Sequence, residues 1–258
     1  MRSQLWIAIA AAVLGVAAPA TAASPHKPTI VLVHGAFADA SSWNGVITDL
    51  QRDGYTVVAA ANPLRGIAND ATYVASMVKS VHGPVILVGH SYGGAVISQA
   101  GASADNVKSL VFVDAFSLDV GESIAELGAK FPPAPLAAAL TSAPLLDGGQ
   151  DLYVRPDQFG VVFAPDVPPA SVRLAAAEQR PIAASAFAEK PTAAAWKAIP
   201  SWFVYGSADQ AIPPSELAFM AERSHSQKTV VVPGGSHVTL ISHPHEVAAL
   251  IEDAANAP

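Results

Sequence analysis

The chain of 258 residues contains no cysteine. This absence excludes disulfide bonds, a thiol nucleophile and thiolate metal sites, and it says little about the compartment. Charged residues are also few, at 14% of the chain, whereas 51% of the residues are hydrophobic. Such a balance is typical of a protein with a well-buried core, and it argues against intrinsic disorder.

Positive charges are outnumbered as well: 14 lysines and arginines stand against 21 aspartates and glutamates, which gives a net charge of −7 at pH 7. No basic patch is present. Nucleic acids and anionic membrane surfaces are therefore poor partners for this chain. The eight histidines include no helical i, i+4 ligand pair. We accordingly predict no metal site and no cofactor.

One long apolar run lies at the N-terminus, where Arg2 precedes the segment from Leu5 to Ala18 and Ala20-Thr21-Ala22 follows it. This arrangement is that of a secretory signal peptide, so residues 1–22 are predicted to be removed. The apolar run is short for a membrane span, and no cysteine is available for lipidation, so no stable membrane anchor is expected. We expect a periplasmic or secreted protein of bacterial type.

After this segment, short apolar runs rich in β-branched residues alternate with helical patterns. The predicted strands are Thr29–His34, Tyr55–Ala60, Pro84–Val88, Val107–Phe116, Ser201–Gly206 and Gln227–Val232. The predicted helices are Ser41–Asp53, Asn69–Val81, a segment through Ala102, Pro214–Ser224 and Pro244–Ala255. Alternation of this kind predicts an α/β fold with a doubly wound, mostly parallel six-stranded sheet.

Residues 117–200 interrupt the alternation. Prolines cluster in this segment at Pro132, Pro133 and Pro135, and again at Pro165, Pro168 and Pro169. The Ala-rich pieces between them are short and weakly periodic, and no strand of the core type is apparent. We predict a small, mostly helical cap inserted over the carboxyl edge of the sheet, with residues 23–116 and 201–258 forming the core.

The third predicted strand leads into Gly89-His90-Ser91-Tyr92-Gly93, and a helical pattern follows. In a strand–turn–helix context, a G-x-S-x-G sequence places its serine on a strained turn, and the flanking glycines let helix and strand approach closely. The hydroxyl is then exposed at the carboxyl end of the sheet, in front of a helix N-terminus. Ser91 is therefore the predicted nucleophile.

A serine hydroxyl needs a base, and the base needs an orienting acid. Asp209 stands on a turn just after the fifth predicted strand, and His237 stands on a Gly-rich loop after the sixth. Asp114, near the end of the fourth strand, competes as the acid, while His243 and His245 compete as the base. The other histidines are interpreted as packing or surface residues: His26, His34, His82, His90 and His225.

The first predicted strand ends in His34-Gly35-Ala36-Phe37. In a serine hydrolase built on a parallel sheet, the loop after this strand supplies one backbone N–H to the oxyanion hole, and the residue after the nucleophile supplies the other. We assign these donors to Ala36 and Tyr92. Phe37 is the nearest rival to Ala36.

The segments VLVHGAF, VILVGHSYGG, VFVDAF, GSADQAIP and PGGSHVTLISHPHEV resemble those of the α/β-hydrolase superfamily, most of all its small methylesterase and hydroxynitrile-lyase branch. The resemblance covers nearly all of the chain after the N-terminal segment, except the cap. It implies Ser91 as nucleophile, His237 as base, Asp209 as acid, and the Ala36 and Tyr92 amides as oxyanion hole.

Two positions distinguish activities within that branch. Its cyanohydrin-cleaving members have a threonine directly after the histidine that ends the first strand, and a lysine directly after the catalytic histidine. This chain has Gly35 and Val238 at these positions. The departing cyanide would lack both partners, so the resemblance favours ester hydrolysis over cyanohydrin cleavage.

The expected function is that of an exported serine carboxylic ester hydrolase that works through an acyl-enzyme. An Ala-rich cap with few charges suggests a small or medium, fairly apolar ester or lactone as substrate. One alternative is a cofactor-free haloperoxidase or perhydrolase that uses the same three residues. A hydroxynitrile lyase and a non-catalytic ligand receptor are less favoured, because the lyase positions differ and an intact catalytic set argues against a receptor.

Overall fold

A computed structural model describes residues 27–146 and 148–258; the predicted signal peptide, residues 1–22, lies outside the described residues. The strands are β1 Thr29–Val33, β2 Val57–Ala60, β3 Val85–His90, β4 Val107–Val113, β5 Leu140–Pro144, β6 Gln150–Val154, β7 Ile182–Ala183, β8 Ser201–Gly206 and β9 Lys228–Val232. The α-helices are α1 Asn44–Arg52, α2 Ile67–Ser80, α3 Tyr92–Gly101, α4 Ile124–Gly128, α5 Pro156–Gln158, α6 Pro169–Glu178, α7 Pro214–Arg223, α8 Thr239–Ser242 and α9 Pro244–Asn256. Short 3-10 turns span Ala40–Trp43, Pro135–Ala139, Ala184–Phe187 and Ala195–Lys197, and a π-helical turn spans Phe159–Phe163.

The main sheet has six strands in the order β2-β1-β3-β4-β8-β9, and all of its pairs are parallel. Every residue of β3 and β8 is buried, which explains why these strands are continuous apolar runs in the sequence. Helix α9 packs on β3, β4 and β8 and against α1, whereas α3 packs on β1, β3 and β4 and against α2. The predicted α/β fold with a six-stranded parallel sheet is confirmed.

The start of the first helix differs from the prediction. The chain enters α1 through the 3-10 turn Ala40–Trp43, so helical hydrogen bonding of the α type begins only at Asn44. The residue that caps this entry is Asp39, whose side chain accepts from the Ser41 N–H at 2.8 Å.

Within the described residues, no helix is both long enough and apolar enough to cross a membrane.

Residues 117–200, the segment predicted to form the cap and called the cap below, contain a three-stranded antiparallel sheet in the order β5-β6-β7 besides short helices. The prediction of a mostly helical insert omitted this sheet. Its strands are short, and β7 has only two residues, so no alternating apolar pattern marks them. Pro144 is tolerated because β5 lies at the edge of the sheet.

Polar contacts tie the cap to the loops of the core. The guanidinium of Arg65 bonds the Asp151 carboxylate at 2.6 Å and the Pro181 carbonyl at 2.8 Å. The cap residue Glu189 accepts from the first two N–H groups of α2, those of Ile67 at 2.7 Å and Ala68 at 2.9 Å. The N-cap of α2 is a glycine, which offers no side-chain oxygen, so Glu189 supplies this cap from elsewhere in the chain.

We predict that Glu189→Ala lowers the free energy of unfolding by about 1 kcal/mol, because two N–H groups at the start of α2 lose their acceptor. Urea unfolding followed by circular dichroism measures the change. The matched control is Glu222→Ala, which removes an exposed carboxylate from α7 and is expected to stay within about 0.5 kcal/mol of the parent. Equal stability of the two variants would contradict the capping role.

Candidate active site

Ser91 occupies the sharp turn between β3 and α3, with φ 51° and ψ −123°. This backbone conformation is rare for a residue with a side chain. The turn forms because its glycine neighbours leave room. A Cβ on Gly89 would lie 2.6 Å from the Gly93 carbonyl oxygen, and a Cβ on Gly93 would lie 2.5 Å from that of Val33. The two glycines therefore permit the close packing of β1, β3 and α3 that presents Ser91 at the carboxyl edge of the sheet.

Three side chains from distant loops meet at this edge. The Ser91 hydroxyl lies 2.9 Å from Nε2 of His237, and Nδ1 of His237 lies 2.7 Å from the Asp209 carboxylate. The carboxylate only accepts, so Nδ1 carries the imidazole proton and Nε2 is left to accept from Ser91. All three residues are buried, with exposed fractions of 7% for Ser91, 1% for His237 and 5% for Asp209.

Asp209 is held by the loop that follows β8. Its second carboxylate oxygen accepts from the N–H groups of Ala211 at 2.7 Å and Ile212 at 2.9 Å. These bonds form because the loop turns back over its own aspartate, as Asp side chains commonly do in turns. One oxygen is thus fixed to the backbone and the other faces His237.

The competing acid, Asp114, takes a different position. It accepts from the Gly206 N–H at 2.8 Å, and from the N–H and hydroxyl of Thr239 at 3.1 and 2.5 Å. Burial raises the pKa of the Asp114 carboxyl well above its usual range, and the charge of Asp209 adds to the rise. Asp114 therefore joins the end of β8 to α8, two residues after His237, and makes no hydrogen bond to the imidazole.

The competing histidines lie away from Ser91. Nδ1 of His245 lies 2.5 Å from the Asp49 carboxylate, on the side of α1. His243 contacts the Ser242 hydroxyl at 2.9 Å and lies 3.8 Å from Asp166. Among the three histidines weighed for this role, the structure brings His237 to the serine.

The loop after β1 carries the two rival N–H donors. The Phe37 N–H donates to the Arg180 carbonyl of the cap at 3.0 Å, so it is already engaged. The Ala36 N–H has no hydrogen-bond partner within the described part of the chain, and Ala36 lines the same cavity as Ser91. Tyr92 is the first residue of α3, where a backbone N–H has no partner inside the helix. The contact between Phe37 and the cap favours Ala36 over Phe37.

Two buried histidines, interpreted from the sequence as packing residues, hold these loops together. His90 accepts from the Gly35 N–H at 3.3 Å through Nδ1 and donates to the His237 carbonyl at 3.0 Å through Nε2. His34 donates to the Gly35 carbonyl at 2.9 Å and accepts from the Asn62 N–H at 3.1 Å. Burial lowers the pKa of both imidazoles, so both are neutral. In the sequence, His34 is marked only by its place at the end of the first strand and His90 only by its place inside G-x-S-x-G. Neither position predicts the hydrogen bonds that these side chains make.

A cavity of about 390 Å³ opens at Ser91 and His237, between the core and the cap. Most of its wall is apolar, and the cap contributes Ile124, Leu136, Leu140, Leu152, Phe163 and Phe187. Glu216, which the sequence reasoning did not single out, is the acidic residue in this wall. Within residues 27–146 and 148–258, no group of three or more histidine, aspartate or glutamate side chains is arranged to hold a metal ion.

Comparison with known proteins places these features in context. The model of an alpha/beta hydrolase family matches residues 30–250. An alpha/beta hydrolase of Aspergillus novofumigatus, nvfD, is 27% identical over 250 residues, which cover 89% of this chain and 97% of that protein. A carbendazim hydrolyzing esterase of Nocardioides sp. is 31% identical over 121 residues, 42% of this chain and 50% of that protein. The crystal structure of polyneuridine aldehyde esterase has the same fold, with a TM-score of 0.79 at 18% identity, and covers 90% of this chain and 100% of that one.

We predict that Gly89→Ala destabilises the protein by about 1–3 kcal/mol, because its Cβ would overlap backbone atoms that have no room to move. Gly128→Ala is the matched control: it lies at the end of α4, and a Cβ there would meet nothing within 4 Å. The control is expected to be neutral or to gain up to about 1 kcal/mol. Urea unfolding of the two variants compares them, and an unchanged stability for Gly89→Ala would show that the turn is less tightly packed than described.

Proposed function

The chain belongs to the α/β-hydrolase family, and we propose that it is a serine carboxylic ester hydrolase with Ser91, His237 and Asp209 as its catalytic residues. One observation carries the proposal: the continuous hydrogen-bond chain from the Ser91 hydroxyl through His237 to Asp209, at 2.9 and 2.7 Å, beside an apolar cavity that Ser91 and His237 line. Nucleophile, base and orienting acid in this geometry are the groups that acyl transfer requires.

In the first half of the proposed reaction, Ser91 Oγ attacks the carbonyl carbon of the ester while His237 Nε2 takes the hydroxyl proton. The carbonyl oxygen becomes an oxyanion, which accepts from the N–H groups of Ala36 and Tyr92. A donor of this kind lowers the barrier by about 3 kcal/mol. The C–O bond then breaks, His237 returns the proton to the leaving alcohol, and the acyl group stays on Ser91.

In the second half, His237 takes a proton from a water molecule that attacks the acyl carbonyl. The same two N–H groups hold the second oxyanion. When this intermediate collapses, the carboxylic acid leaves and Ser91 recovers its proton from His237. Asp209 keeps the imidazole in the tautomer that accepts from Ser91, and stabilises the imidazolium that forms in each half.

The substrate is proposed to be a small to medium, fairly apolar ester or lactone. A volume of about 390 Å³ lies at the small end of ligand pockets. The esterase names of the Nocardioides relative and of the polyneuridine aldehyde esterase structure support ester chemistry. Gly35 and Val238 lack the hydroxyl and ammonium that would assist a departing cyanide, which favours hydrolysis over the lyase reaction.

Export to the periplasm or the medium is a further part of the proposal. It rests on the order of charge, apolar run and small residues in residues 1–22. Periplasmic fractionation of the expressed full chain, with N-terminal sequencing of the product, tests it. A product that starts at Met1 and stays in the cytoplasm would contradict it.

We predict that the protein lacking residues 1–22 hydrolyses p-nitrophenyl esters and that turnover peaks at a short acyl chain between acetate and decanoate. Ser91→Ala removes the nucleophile and should abolish this turnover. The matched control is Ser98→Ala in α3, the helix that follows Ser91; its buried hydroxyl has no hydrogen-bond partner within the described residues, so this variant should retain the parent rate. Turnover that survives in Ser91→Ala would refute the site. Turnover that appears only with acetate and peroxide would instead favour a perhydrolase.

We predict that Asp209→Asn lowers kcat by about 10⁴-fold with little change in KM, because the amide holds the wrong imidazole tautomer. Asp114→Asn, its matched comparison, keeps the orientation of His237 and should lose far less. Steady-state kinetics on the best ester, with circular dichroism to verify folding, compares the two. A larger kcat loss in Asp114→Asn than in Asp209→Asn would reassign the acid to Asp114.

A further inference from the structure

Glu216 is a carboxyl group with no evident use in the reaction proposed above. It is only 2% exposed, and it lines the cavity that holds Ser91 and His237. Neither carboxyl oxygen has a hydrogen-bond partner within the described residues; Oε1 is fully enclosed, so Oε2 is the oxygen that remains to reach the cavity. A buried polar atom of this kind is unfavourable and uncommon in native proteins. Its partner is therefore to be sought in what fills the cavity.

The position of Glu216 in α7 does not supply a structural partner. Glu216 is the third residue of α7, where a glutamate often reaches back to the N–H of the N-cap residue. Here the N-cap is Pro213, which has no N–H to donate. Glu216 therefore cannot make the capping hydrogen bond that would otherwise explain a glutamate at this position.

The surrounding charges also leave Glu216 unpaired. The cation that acts on it is Arg223, whose Nη2 donates to the Glu122 carboxylate at 2.7 Å and to the Ser117 carbonyl at 2.5 Å; its Nε is buried without a hydrogen-bond partner within the described residues and does not bond Glu216. Burial raises the pKa of Glu216 to about 7, with the charges of Glu122 and Asp209 adding to the rise and Arg223 opposing it. Below that pH the carboxyl is neutral and offers both an O–H donor and a C=O acceptor.

Resting on the function proposed above, we propose that Glu216 binds a neutral oxygen, a hydroxyl or a ketone carbonyl, on the substrate group that fills the cavity. The preferred substrate is then an apolar ester that carries one such oxygen away from the scissile bond. An ammonium group fits less well, since it would place a desolvated ion pair in an otherwise apolar wall.

Matched pairs of esters test this inference. The probes are p-nitrophenyl esters of hexanoate and of its hydroxy-, oxo- and amino-substituted forms, and acetates of the corresponding plain and substituted hexanols. The readout is the ratio of kcat/KM for each substituted ester to that for its plain parent. In the parent protein we expect at least one hydroxy or oxo ester to exceed its plain counterpart by about tenfold or more.

Two variants separate recognition from a structural role. Glu216→Gln keeps a donor and an acceptor and should keep the preference, whereas Glu216→Leu should reduce the ratio to about one while still hydrolysing the plain ester. For an oxo ester, which needs a donor, the ratio should fall as the pH rises through about 7 and should stay constant in Glu216→Gln. The ratio cancels the pH dependence that the two substrates share.

Three outcomes of these measurements would overturn the proposed role of Glu216. Hydrolysis of plain esters with ratios that Glu216→Leu leaves unchanged overturns the inference and leaves the proposed function intact. A preference for the amino esters that is lost in both Glu216→Gln and Glu216→Leu also overturns it, in favour of a cation site. If the parent hydrolyses no ester of either series, the proposed function and this inference fail together.

Discussion

The close approach of three backbone segments at Ser91 is the constraint on which the rest of the site depends. Strand β3, helix α3 and the loop after β1 come so near to one another that the atoms of a single methyl group would not fit at Gly89 or Gly93. This packing forces Ser91 into a positive φ, and it places the Ala36 and Tyr92 amides beside the same cavity. A serine on an ordinary strand end would meet neither these amides nor the imidazole of a distant loop.

A buried, neutral His90 extends this constraint across the sheet edge. It accepts from the Gly35 N–H on one side and donates to the His237 carbonyl on the other. His90 therefore joins the loop after β1 to the loop that carries His237. Asp114 does the same between the end of β8 and α8. The side chains proposed to react are thus held by polar groups that take no part in the proposed chemistry, and burial shields these hydrogen bonds from water.

Much of this could be predicted from the sequence because its strongest signals are local. Strand, G-x-S-x-G and helix follow one another within Pro84–Ala102, and the apolar runs of a parallel sheet are distinct. The choice between Ala36 and Phe37 was not accessible, because it depends on the Arg180 carbonyl, more than a hundred residues away. Glu216 escaped notice for a similar reason: a glutamate in a first helical turn is ordinary until its N-cap proves to be a proline and its surroundings prove to be apolar.

The contacts of the cap have a consequence for the alignment of the site. Arg180 of the cap holds Phe37 beside the proposed oxyanion loop, and Asp166 of the cap holds Ser236, the residue before His237, at 2.9 and 2.5 Å. The cap is therefore bonded directly to the loop that carries the proposed amide donor and to the loop that carries the proposed base. A substitution in the cap that breaks either contact would disturb the alignment of the site without touching the substrate, so the cap acts as a brace for the core loops as well as a wall of the cavity.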